Sequence, residues 1–222
     1  MNKEAFKNQE HYSYEDVLAL IELLRSPEGC PWDHAQTHAS IRRGVIEEAY
    51  EVAEAIDRAD PAMMTEELGD LLMQIIFHAS IGRQEGEFTL QDVYDRLCKK
   101  LIFRHPHLFD PNCSFAPGED EWLALKRQEK GQKSLREEVE GIAKTFPALT
   151  RAEKIAGRID RNEAAAETDE RLETLLRDYL QNKNSETLGA LLFTLAQSAK
   201  HEKIDPEAAL EHENTHKMQL IH

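Results

Sequence analysis

Four stretches in the first half of the chain repeat their apolar residues at the three- and four-residue spacing of a buried helix face. Val17, Leu18, Leu20, Ile21 and Leu24 form the first, behind a Ser13 and Asp16 pair that reads as a capping box. Ile41, Val45, Ala49, Val52 and Ile56 form the second, and Leu68, Leu71, Leu72, Ile75, Ile76 and Ala79 the third. The spacing predicts one helix over about 40–59 and another from Pro61 to about Gln84, closed by Gly86. Val93, Leu97, Leu101 and Phe103 follow a further capping pair, Thr89 and Asp92. Pro27, Gly29 and Pro31 interrupt the series with a rigid irregular loop. The apolar face of the third stretch is too wide for a single partner, so a helical bundle or a dimer core is expected.

The second half restarts the same grammar. Residues 110–120 read as an irregular connection, and helical signal resumes at Trp122, Leu123, Leu125 and Lys126 and again at Leu135, Val139 and Ile142. Pro147 marks a break before the stretch from Ala148 to Ile159. A faded repeat follows: Glu48 and Glu51 recur as Glu170 and Glu173, while Leu68, Gly69, Leu71 and Leu72 recur as Leu188, Gly189, Leu191 and Leu192. Glu67 and Asp70 find only Thr187 and Ala190. The expected organisation is a catalytic helical domain over 13–110, a linker with connecting helices over 111–146, and a degenerate second helical domain over 147–222.

Composition narrows the function classes. With 27 Lys and Arg against 42 Asp and Glu, the chain carries a formal charge of −15, so no stable nucleic-acid partner is expected. A small phosphorylated substrate stays open, because bound divalent cations invert the local field. No apolar run is long enough to span a bilayer and no secretory segment is evident near Met1, so the expectation is a soluble cytoplasmic protein with no membrane partner. Cys30, Cys98 and Cys113 have no metal-ligand spacing and read as reduced thiols.

The chemistry concentrates in two acidic pairs. Glu48 and Glu51, and Glu67 and Asp70, are each three positions apart, which places both members of a pair on one helix face. They border the apolar stripes instead of lying opposite them. Such a cluster repels itself, so a pKa rises unless cations neutralise it. Oxygen ligands without Cys or His suit Mg²⁺ or Mn²⁺ better than Zn²⁺. Trp32 offers stacking area and Gln36 a two-way amide, a combination suited to a planar base. Lys100, Arg104, His105 and His107 cluster at the end of the fourth helix, where they complement its dipole or a polyphosphate.

Several motifs in this order resemble those of the MazG-like nucleoside triphosphate pyrophosphohydrolases. They are Gly29-Cys30-Pro31-Trp32-Asp33, Gln36-Thr37-His38, Glu47-Glu48 with Glu51, Glu67-Leu68-Gly69-Asp70, and Lys100 with Arg104-His105-Pro106-His107. The resemblance covers nearly all of residues 13–110, and the rest looks like the second unit of a tandem protein. It implies an all-α fold of MazG-like helical bundles, assembly into a homodimer, and magnesium-dependent hydrolysis of nucleoside triphosphates to monophosphate and pyrophosphate. It also implies a metal site of Glu48, Glu51, Glu67 and Asp70, holding one ion or two. Glu47 or Glu48 would orient the attacking water, and Lys100 and Arg104 would stabilise the leaving pyrophosphate. Trp32, Gln36, His38 and His105 would border the substrate. The implied role is house-cleaning of the nucleotide pool; the alternatives are a selective dUTP or modified-dNTP pyrophosphatase and a non-catalytic nucleotide sensor.

Overall fold

The computed structural model describes residues 6, 7, 9–113, 118–159 and 164–221, and no β-strand occurs among them. The all-α expectation is met. Two compact units divide the chain, Met1–Ser114 and Phe115–His222.

In the first unit, α1 (Tyr14–Arg25), α2 (Pro31–His34), α3 (Arg42–Asp57), α4 (Pro61–Glu85), α5 (Leu90–Arg104) and α6 (Pro106–Phe109) follow one another. Two of the starts are fixed by the capping boxes expected to fix them. Ser13 and Asp16 form a capping box on α1, as do Thr89 and Asp92 on α5. Asp60 accepts hydrogen bonds from the Ala62 and Met63 amides at the head of α4, whose first residue is Pro61. Only Arg58, Ala59 and Asp60 separate α3 from α4, so the two helices turn back on each other and pack along their lengths.

Ile21 of α1, Ile41 before α3, and Ile76, Phe77 and Ile81 of α4 form the buried cluster, with Val17, Leu18 and Met73 against it. A buried cation crosses this core. The guanidinium of Arg25 donates to Ser80 Oγ (3.1 Å), to the Asp33 carbonyl (2.7 Å) and to Gln84 Oε1 (2.6 Å), and lies 5.6 Å from the Phe77 ring centre. It ties the Pro31–His34 turn to α4, which a hydrophobic contact alone would not orient. The loop expected to be irregular thus contains a short helical turn, and α3 begins at Arg42, slightly later than its apolar pattern.

The second unit holds α7 (Glu119–Lys130), α8 (Leu135–Glu140), α9 (Ala148–Ile159), α10 (Ala165–Gln181), α11 (Ser185–His201) and α12 (Pro206–Gln219). Helices α9 and α10 both pack on α11, burying Ala156, Leu191 and Ala196. The helices expected to be connectors, α7 and α8, fall within this unit. Arg127 of α7 donates to the buried Glu138 carboxylate of α8 at 3.4 Å, and α8 packs on α9.

Candidate metal and active site

The acidic pairs meet where α3 and α4 face each other. Glu48 on α3 and Glu67 and Asp70 on α4 each bring one carboxylate oxygen within 4.8 Å of the others, and all three side chains are half-buried. Helical spacing explains the α4 pair, and the tight α3 to α4 turn supplies Glu48 from the opposite side.

The electrostatics are one-signed. Loss of solvent raises the pKa of Glu48, and the Asp70 and Glu51 carboxylates raise it further, against a hydrogen bond from Gln74 that lowers it. Loss of solvent also raises Glu67, followed by Glu66, Asp70, Glu48 and Glu54. The charges named as raising these two groups are neighbouring carboxylates. Packing therefore holds the acids together against their own repulsion.

Gln74 Nε2 donates to Glu48 Oε1 at 3.4 Å. The amide reaches it because residue 44 is glycine: a Cβ there would stand 2.6 Å from Gln74 Nε2. Glu51 is exposed and lies outside the group of three, yet its carboxylate acts on Glu48 from one turn away. Glu47 projects to the outer face of α3, where Arg43 Nε donates to it at 2.6 Å.

The other expected residues lie elsewhere. Lys100 is half-buried and Arg104 buried in the last turns of α5. Nδ1 of His105 lies 2.6 Å from the Leu101 carbonyl, to which it donates. Trp32 is 66% exposed, which leaves its ring available for stacking. Gln36 is engaged locally, donating to the Trp32 carbonyl and accepting from Ser40 Oγ, both at 2.7 Å. His38 turns toward the far end of α4, where its Nδ1 meets Nδ1 of His78 at 2.7 Å.

A family model described as the MazG nucleotide pyrophosphohydrolase domain matches residues 36–109, which include α3, α4 and the acidic group. The chain is 40% identical over 211 residues to the nucleoside triphosphate pyrophosphohydrolase/pyrophosphatase MazG of Thermotoga maritima, covering 89% of this chain and 79% of the relative. It is 35% identical over 214 residues to the nucleoside triphosphate pyrophosphohydrolase of Escherichia coli strain K12, covering 89% and 81%. The chain belongs to the MazG family, and it is a hydrolase.

Within this MazG fold, three supports of the site carry no sequence signal of their own. Gln74 looks like an ordinary polar residue on the rim of α4, and Gly44 like a weak point in α3. Their joint meaning appears only once the helices face each other. Arg25, last in α1, reads as a residue that complements the helix dipole, whereas it is 1% exposed and holds the motif loop.

Proposed function

We propose that this MazG-family hydrolase cleaves nucleoside triphosphates between the α and β phosphates, giving nucleoside monophosphate and pyrophosphate. The observation that carries the reading is the acidic group of Glu48, Glu67 and Asp70, drawn from two helices, in which neighbouring carboxylates push the pKa of Glu48 and Glu67 up. Three hard oxygen donors within 4.8 Å suit Mg²⁺, or Mn²⁺ in its place. Glu48, Glu67 and Asp70 would hold the ion, with Glu51 as an outer carboxylate reaching it through water or directly. An ion held there would supply positive charge to offset the triphosphate and would lower the pKa of a water molecule.

The chain's own residues do the rest. Glu48, within the acidic group, is better placed than the Arg43-paired Glu47 to orient water toward the α phosphorus. Water oxygen bonds to that phosphorus, the bridge to the β phosphate breaks, and the bridging oxygen leaves with pyrophosphate. Lys100 and Arg104 supply positive charge for the departing group. The exposed Trp32 ring offers a stacking face for the base, and His105 lies beside Arg104. We assign the same enzyme a house-cleaning role toward the cytoplasmic nucleotide pool.

Leu68, Leu72 and Ile75 form an exposed stripe along α4, and Ile46 and Tyr50 an exposed pair on α3. That face supports a homodimer, because a stripe of this kind on a long helix gains from a second apolar surface. The test of the activity is product analysis with several nucleoside triphosphates and Mg²⁺. Pyrophosphate release supports the reading, orthophosphate as direct product contradicts it, and binding without turnover makes the protein a sensor.

A further inference from the structure

The far end of α4 carries a second group of metal-ligand type. Asp70 and Glu85 are separated by 15 positions of continuous helix, about 22 Å at 1.5 Å per residue, so this group is remote from the acids described above. Its geometry comes from the helix end. Gly86 stops α4 in the left-handed conformation (φ 72°), which L side chains rarely adopt. The reversal turns Glu85, before the glycine, and Glu87, after it, toward the same histidine.

That histidine is His38, in the loop between α2 and α3. Its ring lies between His78 and Phe88, with centroids at 5.0 and 5.8 Å and planes within 6° and 17°. Phe88 reaches this position over Gly82, where a Cβ would stand 2.7 Å from the ring. The contact between the two Nδ1 atoms leaves room for one proton. With that proton on His38, its Nε2 presents a lone pair.

Nε2 of His38 is shielded from solvent and makes no hydrogen bond among the described residues. Glu87 Oε2 lies 3.7 Å away and Glu85 Oε2 3.9 Å away, and the three ligand atoms fall within 4.8 Å of one another. These separations are too long for hydrogen bonds. They are close to the ~3.4 Å edge of a tetrahedron whose metal bonds are about 2.1 Å.

We propose that His38, Glu85 and Glu87 bind a divalent transition-metal ion of the Zn²⁺ class, with solvent in the open position. One imidazole and two carboxylates select such an ion over Mg²⁺, which strongly favours oxygen. His78 is the outer partner that fixes the ligand tautomer, as partners of metal-bound histidines do. Arg25 is a competing charge, since it and Glu85 act on each other. The ion would clamp the loop after the Cys30-Pro31-Trp32-Asp33 motif to the C-terminal end of α4. This site does not depend on the proposed catalytic reading.

The test uses the full chain, stripped of metal by chelation and then held in excess Mg²⁺. Zn²⁺ binding is followed by calorimetry and Co²⁺ binding by its visible ligand-field bands. We expect one Zn²⁺ per chain and a tetrahedral Co²⁺ spectrum. His38→Ala should abolish both, and Glu87→Gln, at an exposed position, should weaken binding at least tenfold with unchanged helical circular dichroism. His78→Ala should weaken it by about 10–100-fold. Glu67→Gln, the control at the other site, should retain the ion. Absence of Zn²⁺ binding by the wild type, or equal binding by Glu87→Gln, would overturn the proposal and leave His38 as an ion-pair partner of the two glutamates.

Discussion

The α3 and α4 pair and the α10 and α11 pair are built alike, two packed helices joined by a short capped turn, yet they bring different chemistry to their contact. In the first, Glu48, Glu67 and Asp70 crowd together half-buried, and neighbouring carboxylates raise the pKa of Glu48 and Glu67. In the second, Arg171 donates to the Gln197 amide, Thr168 meets His201 Nε2 at 3.2 Å, and Glu170 and Glu173 stay exposed. Thr187, standing where the first unit has Glu67, is used in the capping box of α11. Helix packing therefore does not require the acids. They weigh against the fold that holds them, as the cation site proposed above would require.

The sharpest way to break this contrast is to neutralise one acid in each pair. Glu67→Gln should lower Mg²⁺-dependent pyrophosphate release by at least about 100-fold with helical circular dichroism unchanged, since charge and one ligand are lost while shape is kept. Glu170→Gln should change that rate less than about twofold, within the usual range for exposed substitutions. Equal losses in both variants would erase the distinction between the pairs.

Stability should move the opposite way. Carboxylates with raised pKa in the folded state keep their protons to higher pH than they do unfolded, so the folded state binds more protons in that interval. The metal-free protein should accordingly lose stability as pH rises from about 4.5, the ordinary glutamate value, through the raised values. Denaturation midpoints measured across that range should show a smaller fall in Glu67→Gln, which should also be the more stable form at neutral pH without metal. Mg²⁺ at about 100 times its Kd should add about 2.7 kcal/mol to the wild type and clearly less to the variant.

Much of this contrast was legible in the chain. The capping residues Ser13, Asp16, Thr89 and Asp92 and the 3.6-residue pattern located the helices, because these signals are local. The acidic pairs were visible as shared faces for the same reason. Periodicity names a face and not its partner, so it did not show that Glu51 stands outside the group of three, that His38 turns to the far end of α4, or that Arg25 crosses the core. Residues 111–146 read as a linker with connecting helices, and α7 and α8 fall within the second unit, where α8 packs on α9, a contact not written in its own short pattern.

The glycines sharpen the comparison at smaller cost. Gly44→Ala should displace Gln74 from Glu48 and lower turnover by up to about tenfold, the net worth of one ordinary hydrogen bond, since this contact is long at 3.4 Å. Gly189→Ala, inside α11 with open space where a Cβ would stand, should stabilise the second unit by about 0.5–1 kcal/mol and leave turnover alone. Steady-state kinetics and chemical denaturation of the two variants check both outcomes.

The most direct test of the account is a crystal structure of the protein with Mg²⁺ and a non-hydrolysable nucleoside triphosphate. The account predicts an ion at about 2.0–2.1 Å from oxygens of Glu48, Glu67 and Asp70, shared with the phosphates. A triphosphate and its ion bound away from all three carboxylates would contradict it.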